Sequence, residues 1–358
     1  MRRSKCPSDA RLPLSCRQAP GDPALTETLA MWTYRRRASH RRALTLLHAA
    51  VVVLVSVAAC PGPAKEPAVP RPVRPSKQAR VITGFAVTGE LPGTQALRMR
   101  APEAVAVDHR GDVVIADTGN HRVLVVGRDG ELVDEFGGYG WDADRLDTPG
   151  DVCVYRGFYT YVLDEGNRRV VRYDVDGDYV DVVVAEGDAG SPVAIAVGTS
   201  GGLLLVDADT QSVLSYSQFD ERLTPFGRFG LDAGGLVSPV AVAVGPSREV
   251  AVADPGRSSV EVYDEFGASL YALSSPDTLA PSDIAFDSFG NVLVVDERHN
   301  RLLAFPAGGG PSTASLAGEA GFRPTAVATG VMGELVVLDG GAGRIQVIET
   351  VYGADARR

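Results

Sequence analysis

The chain has 358 residues, enough for one large domain or two ordinary ones, and its 40 Gly and 23 Pro suit many short strands joined by turns. Its net charge of −10 divides unevenly: residues 1–60 hold 10 Lys/Arg against 3 Asp/Glu, while residues 61–358 hold 25 against 42, a net of −17. A body that acidic repels phosphate backbones and gains nothing from counterion release, so nucleic acid is excluded as the expected partner. The four cysteines, Cys6, Cys16, Cys60 and Cys153, do not form the pattern of a disulfide framework.

Residues 1–59 read as a targeting segment, with Met31 an alternative start because residues 1–30 carry neither a signal nor a repeat. The basic patch "RRRASHRR" precedes 17 largely apolar residues, Ala43 to Ala59, giving the n-region and h-region of a secretory signal. That run is short for a membrane span of about 20 residues. The closing "VAAC" resembles a bacterial lipobox. The resemblance implies cleavage before Cys60 and lipid attachment to its thiol; the alternative is an uncleaved N-terminal anchor. It also implies a lipoprotein of the cell membrane or outer membrane that faces the periplasm or the exterior. Residues 60–78 form the tether, with six prolines between Pro61 and Pro75. Such density favours extended polyproline II at about 3.1 Å per residue, a semi-rigid spacer.

From residue 79 the chain repeats itself. Six units open "PEAVAV", "PGDVCV", "PVAIAV", "PVAVAV", "PSDIAF" and "PTAVAT". Fifteen residues after each opening proline an aspartate closes an apolar run: Asp117, Asp164, Asp207, Asp254, Asp296 and Asp339. Apolar periodicity within a unit is two, so the elements are strands. Val105, Val152, Ile195, Val242, Ile284 and Val327 share one register of the first strand, mostly flanked by Ala, which suits a crowded centre where strands converge. Four strands in a period of about 40–50 residues make a propeller blade. Unit six runs out after three strands, and "ARVITGFAVTG" (Ala79 to Gly89) supplies the missing fourth. The expected fold over residues 79–358 is all-β: a six-bladed β-propeller of four-stranded antiparallel blades, its last blade closed by the N-terminal strand. Closure of that kind removes open sheet edges.

These units resemble the NHL repeat over residues 102–353, most fully in "PEAVAVDHRGDVVIADTGNHRVLVV" of blade one. Blades three and four depart from it, with "DADTQS" and "DPGRSS" where the repeat has D-x-x-N-x-R. The repeated aspartate is a turn device, because an Asp side chain hydrogen-bonds nearby backbone amides. Arg122, Arg169, Arg301 and Arg344, five residues after their aspartates, are placed to pair with that carboxylate or with a neighbouring blade. The set recurs by symmetry and is read as structural. A similar propeller is the extracellular sensor of some bacterial membrane kinases, which implies a binding role.

Symmetry breaks in the connectors after blades one and three, "FGGYGWDADRLDTP" and "FGRFGLDAGGLVSP". They carry Tyr139, Trp141, Phe229 and Leu231 on the face where the turns after the second strands hold His121, Arg168, Arg257 and His299. Aromatic and Arg side chains on loops are typical partner anchors, so these are the candidate contacts for a protein, peptide or glycan. The alternative is that the FG-x-x-G connector is plain blade architecture. Asp151 and Asp283 replace Ala near the start of the innermost strand, where they either face the channel mouth and a cationic ligand or only satisfy backbone amides. Cys153, on the same kind of strand, reads as a buried small apolar residue. "DVDGDYVD" (Asp174 to Asp181) invites calcium, but an Asp-Gly hairpin explains it equally, and no cofactor is expected. Three His follow the tether, and His109 falls on the opposite face from His121 and His299, fewer than a catalytic zinc wants. The expectation is a membrane-tethered, extracytoplasmic, monomeric binding or scaffold propeller. The alternative is a metal-dependent lyase or hydrolase with its site at the channel mouth.

Overall fold

The computed structural model describes residues 80–217, 219, 222, 224–317 and 322–353; the expected signal segment, Cys60 and the tether lie outside the described residues. The first strand, β1 (Val81–Glu90), belongs to the last blade. Blade one is β2 (Ala104–Val107), β3 (Val113–Asp117), β4 (Arg122–Val126) and β5 (Leu132–Gly137). Blade two is β6 (Pro149–Tyr155), β7 (Tyr159–Asp164), β8 (Arg169–Asp174) and β9 (Tyr179–Val184). Blade three is β10 (Pro192–Val197), β11 (Leu203–Asp207) and β12 (Ser212–Tyr216). Blade four is β13 (Ala241–Val244), β14 (Val250–Asp254), β15 (Ser259–Tyr263) and β16 (Ser269–Leu273). Blade five is β17 (Pro281–Phe286), β18 (Val292–Asp296), β19 (Arg301–Phe305) and β20 (Ala314–Ala317), and β21 (Pro324–Thr329), β22 (Leu335–Asp339) and β23 (Arg344–Gly353) begin blade six.

Six antiparallel sheets result, each ordered from its innermost strand outwards, and the sixth runs β21-β22-β23-β1. Blade three has three named strands; where a fourth would lie, the described residues show only the bridges Val213 to Phe226 and Tyr216 to Arg222.

The second strands explain why the sheets stack. Five of them are buried from end to end and the sixth, in blade two, is buried from Thr160 onward, as strands covered on both faces must be. The core is six clusters, one at each seam between neighbouring blades. At these seams a β-branched residue of one innermost strand packs beside a small residue of the blade before it: Val152 with Ala104, Val242 with Ala194 and Ala196, Ile284 with Ala241, Val327 with Ala285, and Val105 with Ala326. Between blades two and three the small residue is Cys153, against Ile195. Large residues in both positions would force the inner strands apart, which is why the sequence alternates small and branched there.

Closure follows the expected route. β1 pairs antiparallel with β23 from Val81 opposite Gly353 to Glu90 opposite Gln346. Its anchor is Ile82, wholly buried in the cluster between blades five and six. The strand starts on the face that carries the tight turns after the first and third strands, here the turn face. It ends on the face that carries the connectors and the turns after the second strands, here the connector face.

Replacing Ile82 by Ala removes a buried side chain from both the closing strand and a seam. The expected cost is about 2–5 kcal/mol of unfolding free energy, measured by urea titration against Val87→Ala, an exposed residue of the same strand whose loss is expected to change little.

Candidate functional site

The connector face is organised by the repeated aspartates. All six carboxylates are buried, and each accepts a hydrogen bond from a backbone amide just before the innermost strand of its own blade: Arg100 to Asp117 at 2.7 Å, Asp147 to Asp164 at 2.7 Å, Ser191 to Asp207 at 2.8 Å, Ser238 to Asp254 at 2.9 Å, Ala280 to Asp296 at 3.2 Å and Arg323 to Asp339 at 3.4 Å. The expected arginines join them. Arg122, Arg169 and Arg301 donate Nε to their aspartates at 2.7, 2.8 and 2.8 Å, and Arg344 donates Nη2 to Asp339 at 3.1 Å. Four residues after each aspartate the backbone turns left-handed, at His121, Arg168, Gln211, Ser258, Asn300 and Gly343. Only the last is glycine, so five blades hold a residue in a conformation that costs of order 1 kcal/mol or more, maintained by the buried carboxylate.

Blades three and four, which depart from the repeat, satisfy the same carboxylate differently. Thr210 donates its hydroxyl to Asp207 at 2.8 Å. In blade four the backbone amides of Val237 and Arg257 donate to Asp254 at 2.7 and 3.2 Å, while the Arg257 side chain pairs with buried Glu261 at 3.0 Å and donates Nη1 to the connector carbonyls of Gly230 and Asp232. Arg257, one of the expected partner contacts, is thus held as a brace under the connector.

The two long connectors share one construction. Tyr139 bridges Leu146 and Phe229 bridges Leu236, and both leucines are wholly buried plugs. A Cβ on Gly137 or Gly227, both with positive φ, would stand 2.7 Å from its leucine, so the FG pair is required by the plug. The plug accounts for the motif and leaves the tips free: Tyr139 is 60% exposed, Trp141 73%, Phe229 67% and Leu231 80%. Tyr139 sits edge-on to His121 at 4.9 Å and to Trp141 at 5.9 Å, a stepped aromatic ladder. His121 accepts the Thr148 amide at Nδ1 (3.1 Å), which leaves Nε2 as the protonated nitrogen of the neutral ring.

The structure thus joins His121, Tyr139 and Trp141. Arg168 is exposed on blade two, one guanidinium nitrogen donating to the carbonyl of Gly190. His299 stands on blade five, with Nδ1 2.8 Å from Asp296. The "DVDGDYVD" segment is a hairpin: Asp174 Oδ1 accepts the amides of Asp176 and Asp178, while Asp181 pairs with Arg172. Its carboxylates do not converge, and among the described residues no three His, Cys, Asp or Glu side chains are arranged to hold a metal ion.

At the axis, a channel of about 230 Å³ is lined by the innermost strands. Asp151 and Asp283 lie in its wall, from blades two and five, which face each other across a ring of six. Each carboxylate stitches a seam. Asp151 accepts the amides of Val152 and, from blade three, Ile195, both at 2.7 Å. Asp283 accepts those of Ile284 at 2.8 Å and, from blade six, Val327 at 2.7 Å. Burial pushes Asp151 up from 3.8 to about 8, with the negative Asp283 adding to the rise and the Ile195 amide opposing it. Burial likewise pushes Asp283 up to about 7. Beside the mouth, Glu165 is raised to about 7 by burial and by the nearby charge of Glu103, which burial also raises. Neither glutamate carboxyl has a hydrogen-bond partner among the described residues. The sequence reading missed this pair because it forms across two blades, from the residue after Pro102 and the residue after Asp164.

With the geometry in place, comparison with known proteins agrees on the fold. The NHL repeat family model matches residues 99–126, which is blade one to the end of β4. The protein brain tumor of Drosophila melanogaster is 27% identical over 128 residues, 35% of this chain; the match spans only 12% of that protein. Among solved structures, a streptogramin B lyase superposes with a TM-score of 0.54 at 12% identity, covering 75% of this chain and 98% of that one. Hydrazine synthase of Kuenenia stuttgartiensis gives 0.53 at 12% identity, covering 72% and 97%. Two such different proteins share the architecture, so the likeness establishes the propeller alone.

Because both channel carboxyls keep their protons in the folded chain at pH values where the unfolded chain has lost them, folding stability falls as pH rises from about 4 to about 8. Replacing both by Asn is expected to remove most of that slope, a change of several kcal/mol across the window. The variant also loses an acceptor at each seam, a cost of about 1 kcal/mol each that is independent of pH. Urea unfolding at pH 5 and pH 8 checks this; an unchanged slope would count against the assignment.

Proposed function

We propose that this chain is an extracytoplasmic, membrane-tethered binding propeller that takes a protein, peptide or glycan partner on its connector face. The ladder of Trp141, Tyr139 and His121 carries this reading. Its rings are held against one another and beside a buried leucine, yet Tyr139 and Trp141 remain mostly exposed to solvent. Rigid aromatic side chains presented to solvent give large contact area for little ordering cost, which is what a recognition anchor needs. Phe229 and Leu231, on the equivalent loop two blades on, supply a second apolar contact, and exposed Arg168 lies on the blade between them. The position of Arg80 supports the same reading: the first described residue is on the turn face, opposite the connector loops.

A second reading, a propeller lyase or hydrolase, is favoured by one observation. Glu165, raised to about 7 beside the channel mouth, has the proton affinity suited to a general acid or base near neutral pH. Asp151 and Asp283 fit that chemistry less well, since both oxygens of each hold backbone amides of two blades.

Photo-crosslinking residues placed at positions 139 and 141, with position 133 on the outer strand of blade one as the control, separate the possibilities in the native cell. The binding reading expects one discrete adduct from the connector positions, absent from the control, found in the envelope fraction and released from it by Cys60→Ala. Tyr139→Ala with Trp141→Ala is expected to weaken association at least tenfold with unfolding unchanged. Adducts from all three positions alike would reject the connector face.

A further inference from the structure

A second cavity lies on the turn face, away from the connector loops and from Asp151 and Asp283. It is a cleft of about 780 Å³, within the range of ligand sites, and it draws on the turns of blades three to six. Its floor is apolar, with Val244 and Phe286, and exposed Pro246 extends that surface toward the rim. One wall is aromatic: Phe289 and Tyr352 meet edge to face with centroids 5.0 Å apart. The rim is Val331 and Met332, and Met332 is 80% exposed.

The charges around that apolar floor are unequal. Asp287, Glu334 and Glu349 line the cleft, against one cation, Arg80. Asp287 is tied down by the side chains of Asn291 at 2.6 Å and Tyr352 at 3.2 Å, and Glu334 accepts the Met332 amide. Glu349 is exposed and its carboxylate has no partner among the described residues. Arg80 is informative for where it sits. Its carbonyl accepts the Asn291 side chain at 2.8 Å, and its guanidinium lies over the Phe289 ring, 5.6 Å from the centroid. The chain's own first described residue therefore demonstrates that the wall accepts an organic cation on its π face.

We propose that this cleft binds a basic peptide segment, an arginine or lysine side chain entering between Phe289 and Glu349 while an adjoining apolar side chain rests on the Val244–Phe286 floor. The negative balance selects the cation, and the aromatic wall favours guanidinium over inorganic ions. Met332, unbranched and polarizable, adjusts to the apolar neighbour. Arg80 occupies part of the same wall, so it competes with the incoming side chain.

The test is fluorescence anisotropy on the full chain at low salt, with labelled Leu-Arg-Leu and Leu-Glu-Leu peptides as probes. The arginine peptide is expected to bind and the glutamate peptide not. Glu349→Gln is expected to weaken binding about fivefold, and 0.5 M salt is expected to do the same, as exposed charge attraction is screened. Arg80→Ala is expected to strengthen it about three- to tenfold, a cation–π contact's worth of competition removed. Phe289→Ala is expected to abolish binding; because that ring packs on Tyr352, its unfolding is followed in parallel, and Glu349→Gln tests the same site without touching the packing. Equal binding of the two peptides, or no response to Glu349→Gln and Arg80→Ala, would overturn the assignment. Neither result bears on the connector face, which uses none of these residues.

Discussion

One buried carboxylate per blade organises this molecule. An aspartate at the end of each second strand loses its water on folding, and an unpaired charge there would cost several kcal/mol. It is compensated by an amide from the connector, by a turn that wraps it, and in four blades by an arginine from the third strand. The same arginines reach further: Arg122 and Arg169 also donate to connector carbonyls at Leu97 and Asp142. A turn, a strand junction and a connector are thereby fixed to one point, and every loop of the connector face inherits its position from it.

The inner ring obeys a different constraint, that of volume. Six strands meet at an axis, and small residues alternate with branched ones so that neighbouring blades interlock. Asp151 and Asp283 are exceptions to that pattern at opposite points of the ring. Each carries a carboxylate where other blades have a methyl group, and each uses it to bind the next blade's backbone. Two of the six seams are thus stitched by an inner-strand carboxylate, and a symmetric repeat has acquired an axis of lower symmetry.

The fold was legible because its signals are periodic. The proline-to-aspartate offset, the strand alternation and the spare strand near Val81 each recur or balance, and all of them appear in the sheets. Blade three is the place where legibility fell: among the described residues its fourth strand shows as bridges to Phe226 and Arg222. Site residues were harder to read. Tyr139 and Trp141 were identifiable as additions to a repeat, but Arg257 was not identifiable as a brace. Its role depends on Glu261 facing inwards at 2% exposure, and a carboxylate on a third strand gives no sign of that in one dimension. Glu103 with Glu165, and Arg80 with Phe289, are contacts between distant parts of the chain. No local spacing encodes them.

The closing strand has a mechanical consequence. β1 runs from the turn face to the connector face, and its hydrogen bonds to β23 lie across its length, as in any antiparallel pair. A pull on the segment before Val81, resisted by something gripping the connector loops, is directed along that strand. The bonds are then loaded in shear, all together, rather than unzipped one after another. A ring fastened in this way withstands tension along its axis better than a tug at its rim.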